Sequence, residues 1–477
     1  MSPSFNKTLY PNWLYHSLFA LLCIVVTAFQ WKALWLPYYW DELGVYAPAA
    51  NALYEHGLSL MPGALDPEFS RGHPLLFAFL GGTAFKLFGS NVFTAHVFAF
   101  SVSLLLLLAV YCKAGKYYGY FNALVTVTLI AVQPFFLGLS TLLLPEILLA
   151  LFAWLALTAF YENKYALAGL YSTLAIFTKE SGILLPFTFA AFIIFQQLFY
   201  RKESKSQLKP SLLFLLAPFL FFGLFLLVQK AQNGWYFFPY HVSTVSLEVA
   251  TVKEHFKNFF NFLIWNQNRY WWKWILIGGL IGCIVKGTFT KNSFRNSFPV
   301  LLGIFIVGNL CASSLAFYMA RYVFLLLPPL ALLVSLSLSS ITQSIAFRSI
   351  VTGVLIWAAI STMDTNVFHY EEDIAYRKSI YNLVDALSYM REIQQPQDSV
   401  GGTFPAFYAL TTPNNGYPGL KYSQPILNGK HGNSYIIESD PGGWIENKKN
   451  LEVVKEFRNG YARTTIYKAV YLNTTSK

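Results

Sequence analysis

The sequence predicts an all-α polytopic membrane domain followed by a small C-terminal domain of α/β or α+β class. Three observations support this: 55% of the 477 residues are hydrophobic, only 12% are charged, and the apolar residues form long uninterrupted runs. Soluble domains carry about 25% charged residues, so this composition does not fit a soluble surface. Disordered, collagenous and disulfide-stabilised classes are excluded as well, and the four cysteines all lie in apolar runs without metal or redox spacing.

Long apolar runs are candidate membrane-spanning helices, because the hydrocarbon core is about 30 Å thick and each helical residue rises about 1.5 Å. The first run has no small-residue cleavage site after it, which favours a retained helix over a signal peptide. A further stretch, 73–89, is interrupted by Gly81 and Gly82 and carries Lys86. The eleven predicted spans are 16–36, 92–112, 119–139, 143–161, 164–180, 182–200, 211–229, 271–286, 298–317, 321–341 and 349–363.

Basic residues orient the chain, because cytoplasmic loops are enriched in Lys and Arg. If 73–89 does not cross the membrane, the loops on the N-terminal side hold 12 basic and two acidic residues; if it crosses, those charges fall outside. We therefore expect 73–89 to be a re-entrant or surface-lying helix and the N-terminus to be cytoplasmic. The 12 basic residues are Lys7, Lys113, Lys116, Lys164, Arg201, Lys202, Lys205, Lys209, Lys286, Lys291, Arg295 and Arg348.

This orientation divides the chain into a multi-pass domain of the cytoplasmic (inner) membrane, 1–364, and an extracytoplasmic domain, 365–477. The net charge of +11 resides almost entirely in the inner loops, so it does not indicate a nucleic-acid partner. In the tail, 373–393 has apolar residues at helical spacing, and SVGGTF, SYIIES and RTTIYKAVYL are typical of strands.

Two adjacent carboxylates, Asp41 and Glu42, follow the first span at once, within the first outer loop at 37–90. Aromatic residues surround them, and an interfacial aromatic belt with solvated acids is one explanation. The other is a carboxylate in a partly dry pocket, where it acts as a general base or binds a cation.

Isolated charged residues and histidines lie at the predicted outer ends of other helices and loops. Any one of them could extend to a lipid head group, but charge at bilayer depth is costly and usually has a partner or a function. Because Arg and Lys bind phosphate, several on one side favour a site for an anionic lipid head group. They are Arg71, His73, His96, Glu146, Lys179, Arg269 and Arg321.

Several motifs in this order resemble the GT-C superfamily of membrane glycosyltransferases, in particular the branch of the protein O-mannosyltransferases and lipid A aminoarabinose transferases. They are aromatic-Asp-Glu after the first helix, a Tyr-Ala-x-x-Ala run, and His-Pro-Leu before a short apolar stretch. Lys-Glu-Ser-Gly and Arg-Tyr with a following Pro-Pro are further points of similarity. The resemblance covers about 16–341.

The resemblance implies inverting transfer of a sugar from a polyprenyl-phosphate donor to a hydroxyl of a glycan, lipid or protein acceptor on the outer face. Asp41 matches the catalytic carboxylate, which would deprotonate the acceptor, and Glu42 matches a second acidic position of the catalytic site, where it would orient the acceptor. Lys179 and Arg321 match positions near the carrier phosphate, whose developing charge they would stabilise. His73 matches a basic position, and Arg71 next to it belongs to the same predicted phosphate site.

Further substrate contacts are predicted at Glu146, His96, Arg269, Trp235 and Tyr240. His96 and Glu146 stand where relatives often have Arg and Asp, and Pro74-Leu75 replaces a usual Pro-Pro. The aromatic pair in the loop 230–270 fits sugar stacking and an interfacial belt equally well. No cofactor is required by the sequence: some superfamily members use a divalent metal, but no ligand cluster supports a metal here.

Two other functions stay open. A transporter or flippase of lipid-linked glycans would commonly show internal repeats and charged helices near the midplane; no repeat is obvious, and the polar groups cluster at one face. A glycan polymerase or ligase would use a diphosphate-linked donor, which the sequence does not distinguish. The expected partners are the lipid-linked donor, its acceptor and membrane lipids.

Overall fold

The computed structural model is mostly helical, with one small sheet near the C-terminus. The structure describes residues 11–199, 210–287, 297–365, 370–422, 434–442, 445 and 448–470. Part of the predicted inner-loop charge lies outside these residues, namely Lys7, Arg201, Lys202, Lys205, Lys209, Lys291 and Arg295.

The described residues of the apolar part form a series of helices. They are α1 (Asn12–Gln30), α2 (Ala47–His56), α3 (Pro67–Ser70), α4 (Leu76–Phe88), α5 (Val92–Tyr118), α6 (Tyr120–Ala131), α7 (Pro134–Leu139), α8 (Glu146–Tyr161), α9 (Tyr165–Thr178), α10 (Leu184–Phe199), α11 (Ala217–Asn233), α12 (Pro239–Ser243), α13 (Val249–Ile264), α14 (Tyr270–Val285), α15 (Phe298–Ser313), α16 (Leu327–Ile341) and α17 (Ile345–Ile360).

Among the described residues, five helices are long and apolar enough to cross a membrane. This confirms a helical membrane protein, while the number of crossings stays a prediction. Helix α4, with 13 residues, and helix α6, with 12, are each about 20 Å long. Both are shorter than a hydrocarbon core of about 30 Å, so length alone does not separate α4 from the predicted spans. The five helices are Asn12–Trp35, Val92–Tyr118, Glu180–Leu198, Leu213–Asn233 and Ala320–Ile341.

The helices differ in how much of their surface faces other protein. Of the most apolar part of Ala320–Ile341, 72% is buried, against 28% for Asn12–Trp35 and 22% for Leu213–Asn233. A helix that exposes large apolar side chains without a protein partner fits a lipid-facing position, since lipid tails are as apolar as the side chains. Ala320–Ile341 is therefore the most enclosed of these three helices, and the other two expose most of their apolar surface.

The tail forms a four-stranded sheet in the order β1-β2-β4-β3. Its strands are β1 (Val400–Gly402), β2 (Tyr435–Ser439), β3 (Leu451–Asn459) and β4 (Ala462–Ala469), with β1 parallel to β2 and the other pairs antiparallel. The amphipathic helix α18 (Tyr376–Ile393) packs on it through fully buried Leu383 and Leu387. Strand β3 was not predicted, because this charged edge strand buries little apolar surface.

The tail also contacts the predicted first outer loop. The backbone N–H of Tyr38 donates to the carbonyl of Asn415 at 3.0 Å. The ring of Trp40 packs edge-on against Phe404, with 4.4 Å between ring centroids, and against Tyr370 at 5.3 Å. These contacts place the short helix α19 (Ala406–Thr411) over the loop that carries the acidic pair.

Candidate active site

The acidic pair sits in a tight turn between α1 and α2. Trp40 adopts a left-handed backbone conformation, with φ of 51°, which is unusual for a bulky residue and needs support from its surroundings. A π-helical turn over Glu42–Tyr46 follows and leads directly into α2. As a result, neighbouring Asp41 and Glu42 contact different parts of the protein.

Asp41 belongs to a cluster around the guanidinium of Arg321, which is 4% exposed. Nη2 of Arg321 pairs with Asp41, and Nη1 donates to Oε1 of Glu371 at 2.8 Å. Nε lies 3.2 Å from Oε1 of Glu146. A buried charge is costly unless it is paired, and here three carboxylates surround one arginine.

Two further cations adjoin this cluster. Nζ of Lys179 donates to Oε1 of Glu146 at 2.8 Å and lies 4.1 Å from the ring centroid of Tyr322. Glu146 therefore bridges Lys179 and Arg321. Arg71 is half-buried in the turn after α3 and makes no ion pair with any residue that the structure describes, but its charge acts on Asp41.

The cluster sets the protonation of its carboxyl groups. Burial acts to raise the pKa of Asp41, but the charge and hydrogen bond of Arg321, with the charges of Arg71 and Lys179, hold it below its usual value. Burial raises the pKa of Glu371 to about 7, and Arg321 only partly offsets this. Asp41 is thus ionised at neutral pH and can accept a proton, while Glu371 exchanges one near neutrality.

A second cluster lies next to the first, around Glu180. Nδ1 of His73 lies 2.8 Å from Oε2 of Glu180, and the His73 and His241 rings are 4.9 Å apart. Burial and the charge of His73 lower the pKa of His241 to about 4. A cavity of about 190 Å³ connects Glu180 and His241 with apolar Phe225 on α11.

Glu42 and His96 pair with each other, away from Arg321. Oε1 of Glu42 lies 2.9 Å from Nε2 of His96 and accepts the backbone N–H of Leu143 at 2.7 Å; Oε2 accepts the N–H of Tyr39 at 3.2 Å. Glu42 is 0% exposed. Through these contacts Glu42 attaches the turn to helix α5 and to the loop before α8. Glu42 thereby helps to position the turn that carries Asp41.

Three other predicted contact residues lie outside the Arg321 cluster. Arg269 is fully buried and donates to the last carbonyls of α13, including that of Leu263 at 2.8 Å. Trp235 packs on the turn after Arg71: a Cβ on Gly72, whose φ is +74°, would lie 2.8 Å from its ring. Tyr240 is exposed next to His241.

Glu371 is the site residue that sequence reasoning missed. It lies in the segment Tyr-Glu-Glu-Asp, a few residues after the last apolar run and on the predicted outer side. Three consecutive acids at the predicted outer end of a span were the sequence signal that could have identified it.

In the residues that the structure describes, no group of three or more His, Cys, Asp or Glu could hold a metal ion. The carboxylates that do converge surround an arginine, which would repel a cation.

Comparisons with known proteins agree with this architecture. A family model described as dolichyl-phosphate-mannose-protein mannosyltransferase matches residues 72–228, which include His73, Glu146 and Lys179. The structure is similar to ArnT from Cupriavidus metallidurans bound to undecaprenyl phosphate, with a TM-score of 0.57 and 15% identity over 97% of this chain and 98% of that one.

A second similar structure is the oligosaccharyltransferase of Archaeoglobus fulgidus in complex with Zn and sulfate. Its TM-score is 0.51 at 14% identity, over 88% of this chain and 68% of that one. No curated protein sequence matches the chain. Together the family model and the shared fold confirm the predicted resemblance: the chain has the fold of the GT-C membrane glycosyltransferases.

Proposed function

We propose that the chain is an inverting glycosyltransferase that moves a sugar from a polyprenyl-phosphate donor to an acceptor hydroxyl at the outer face of the cytoplasmic membrane. The observation that carries the proposal is the pairing of ionised Asp41 with Arg321, next to Lys179. Undecaprenyl phosphate in the ArnT structure of the same fold supports a lipid-phosphate donor. In the proposed topology the chain crosses the membrane eleven times and the tail, 365–477, lies on the outer side.

In the proposed reaction Asp41 accepts the proton of the acceptor hydroxyl. The oxygen then attacks the anomeric carbon on the side opposite the phosphate, so the configuration inverts. The bond between this carbon and the phosphate oxygen breaks, and polyprenyl phosphate leaves with the electron pair. Cations positioned near the leaving phosphate stabilise its developing charge.

Lys179 and Arg71 are the cations best able to bind that phosphate. An ammonium has three N–H donors, and Lys179 directs one of them at Glu146. Arg71 makes no ion pair in the described part of the chain. Arg321 is already shared by three carboxylates; we assign it the task of holding Asp41 ionised and aligned. The apolar end of the neighbouring cavity, at Phe225, suits the first isoprene units of the carrier.

The two alternative functions receive less support. The charged cluster lies at the ends of helices and in loops, whereas transporter sites lie near the bilayer midplane. The matching family model is described by a donor with a single phosphate, dolichyl-phosphate-mannose, and this favours a monophosphate over a diphosphate donor.

The test is the substitution Asp41→Asn in membranes supplied with a panel of polyprenyl-phosphate pentoses and hexoses. We expect the rate of sugar transfer to fall about 100-fold to 10,000-fold because the proton acceptor is lost. Mass spectrometry of the lipids and acceptors measures the transfer. Glu68→Gln, which removes an exposed acid of the same loop, is the matched control and should transfer normally. Unchanged transfer by the Asp41→Asn variant would show that the base is another residue.

A further inference from the structure

A groove of about 330 Å³ lies between α2 and the tail segment 408–414. Its volume is within the range of roughly 300–1,000 Å³ found for small-molecule sites. Helix α2 has ten residues and is therefore about 15 Å long. One face of it lines the groove from end to end, through Ala47, Pro48, Asn51, Ala52, Glu55 and His56.

One end of the groove lies at the turn that carries Asp41. Tyr38 and Gly44, three residues before and after Asp41, both line it. The ring of Tyr408 lies 3.5 Å from where a Cβ of Gly44 would be. The hydroxyl of Thr412 donates to the carbonyl of Leu43 at 3.4 Å, so the tail wall is attached to the same turn. A ligand in the groove therefore lies beside the turn that carries the candidate base.

The groove wall presents a row of hydrogen-bonding groups, and Glu55 is the one acid among the described residues that line it. The hydroxyl of Ser90 donates to Oδ1 of Asn51 at 2.6 Å, and Nδ2 of Asn51 donates to Oε1 of Glu55 at 3.0 Å. Thr411 lies on the opposite wall, and Tyr408 supplies a flat aromatic surface. Among the described residues that line the groove, none is Lys or Arg.

We propose that this groove binds the acceptor, and that the acceptor is a neutral oligosaccharide. The inference rests on the proposed glycosyltransferase function. A chain of sugars offers many hydroxyl groups to the polar row and apolar faces to the rings. A phosphorylated head group would meet the Glu55 carboxylate with no lysine or arginine to balance its charge, which disfavours binding.

The test is saturation-transfer NMR with the full-length protein in detergent micelles. The probes are a library of neutral tetra- to hexasaccharides, the phosphorylated forms of the same sugars, and a Ser/Thr-rich peptide. Thr411→Trp fills the groove from an exposed position, and Val453→Trp adds the same ring at an exposed position on β3. We expect neutral sugars to bind to the unmodified protein and to the Val453→Trp variant, and about tenfold more weakly to the Thr411→Trp variant.

Binding of the phosphorylated sugars or of the peptide in preference to neutral sugars would overturn the proposal. So would equal binding to both tryptophan variants, or no binding of any neutral sugar. Cleavage of the polyprenyl-phosphate donor is measured in the same preparations. If donor cleavage depends on Asp41 while no neutral sugar binds, the acceptor assignment fails and the glycosyltransferase proposal stands. If the protein neither cleaves the donor nor binds a neutral sugar, the glycosyltransferase proposal fails as well.

Discussion

Arg321 determines how the carboxyl groups around it are protonated. Asp41, Glu146 and Glu371 all contact its guanidinium, and Lys179 adds a second positive charge through Glu146. In direct contact the three carboxylates share one guanidinium and one ammonium, while Arg71 acts on Asp41 without an ion pair, and the resulting local surplus of negative charge is costly to bury. The surplus is relieved if one carboxyl takes up a proton, and Glu371, with a pKa of about 7, is the group that does so.

This charge balance predicts an unusual effect of Glu371→Gln. The folded-state pKa of about 7 lies above the ordinary 4.5, so the folded protein binds this proton more tightly than the unfolded chain. Stability is then lost as pH rises from about 4.5 to about 7, by on the order of 3 kcal/mol. We expect the variant to match the unmodified protein at pH 5 and to unfold at a higher temperature at pH 8.

Thermal unfolding in detergent at both pH values measures the effect. Glu452→Gln, an exposed acid on β3, is the control and should not change the difference between the two pH values. If Glu371→Gln instead destabilises the protein at pH 8, the ion pair with Arg321 contributes more stability than burial of the Glu371 charge costs. The charge balance described above would then be wrong.

The sequence indicated Asp41 but not the whole cluster. Asp41 follows the first apolar run directly, so composition alone predicts a place for it at the membrane surface. Its pairing with Arg321, 280 residues later in the chain, depends on how the helices pack. Periodicity does not specify that packing, and it gives no reason to join Glu371 of the tail to a membrane helix.

At the scale of elements, the turn between α1 and α2 separates two adjacent acids. Successive residues of a helical turn point in directions about 100° apart, so Asp41 and Glu42 contact different elements: Asp41 reaches Arg321, and Glu42 reaches His96 on α5. The sequence showed the pair but not which acid faces which way, because nothing in the local sequence predicts the left-handed backbone at Trp40, whose ring packs against the tail.

Glu42→Ala tests the positioning function of this turn. The change leaves Nε2 of His96 without its partner and the N–H groups of Leu143 and Tyr39 without an acceptor. We expect the free energy of unfolding to fall by about 3 kcal/mol, seen as a lower unfolding temperature. Glu42→Gln keeps one acceptor oxygen and should lose less. A Glu42→Ala variant as stable as the unmodified protein, yet inactive, would indicate a direct catalytic function instead.

At the scale of the whole molecule, the tail completes the candidate site. It supplies Glu371 to the Arg321 cluster and Tyr408 and Thr411 to the groove. The helix α18 and three of the four strands were predictable, because their apolar periodicity is strong. The docking of the tail on the loop that carries Asp41 was not predictable, since it depends on single contacts such as that between Tyr38 and Asn415.

The proposed topology requires the tail and the acidic loop to face away from the basic loops. Single cysteines in a background without Cys23, Cys112, Cys283 and Cys311 test it, at two exposed sites: Tyr461 between β3 and β4, and Gln343 between α16 and α17. We expect a membrane-impermeant maleimide to label Tyr461→Cys in intact cells, and Gln343→Cys only after the membrane is opened, because the basic loops stay in the cytoplasm. The reverse pattern would place Asp41 on the cytoplasmic face and would contradict transfer at the outer surface, whichever sugar the enzyme carries.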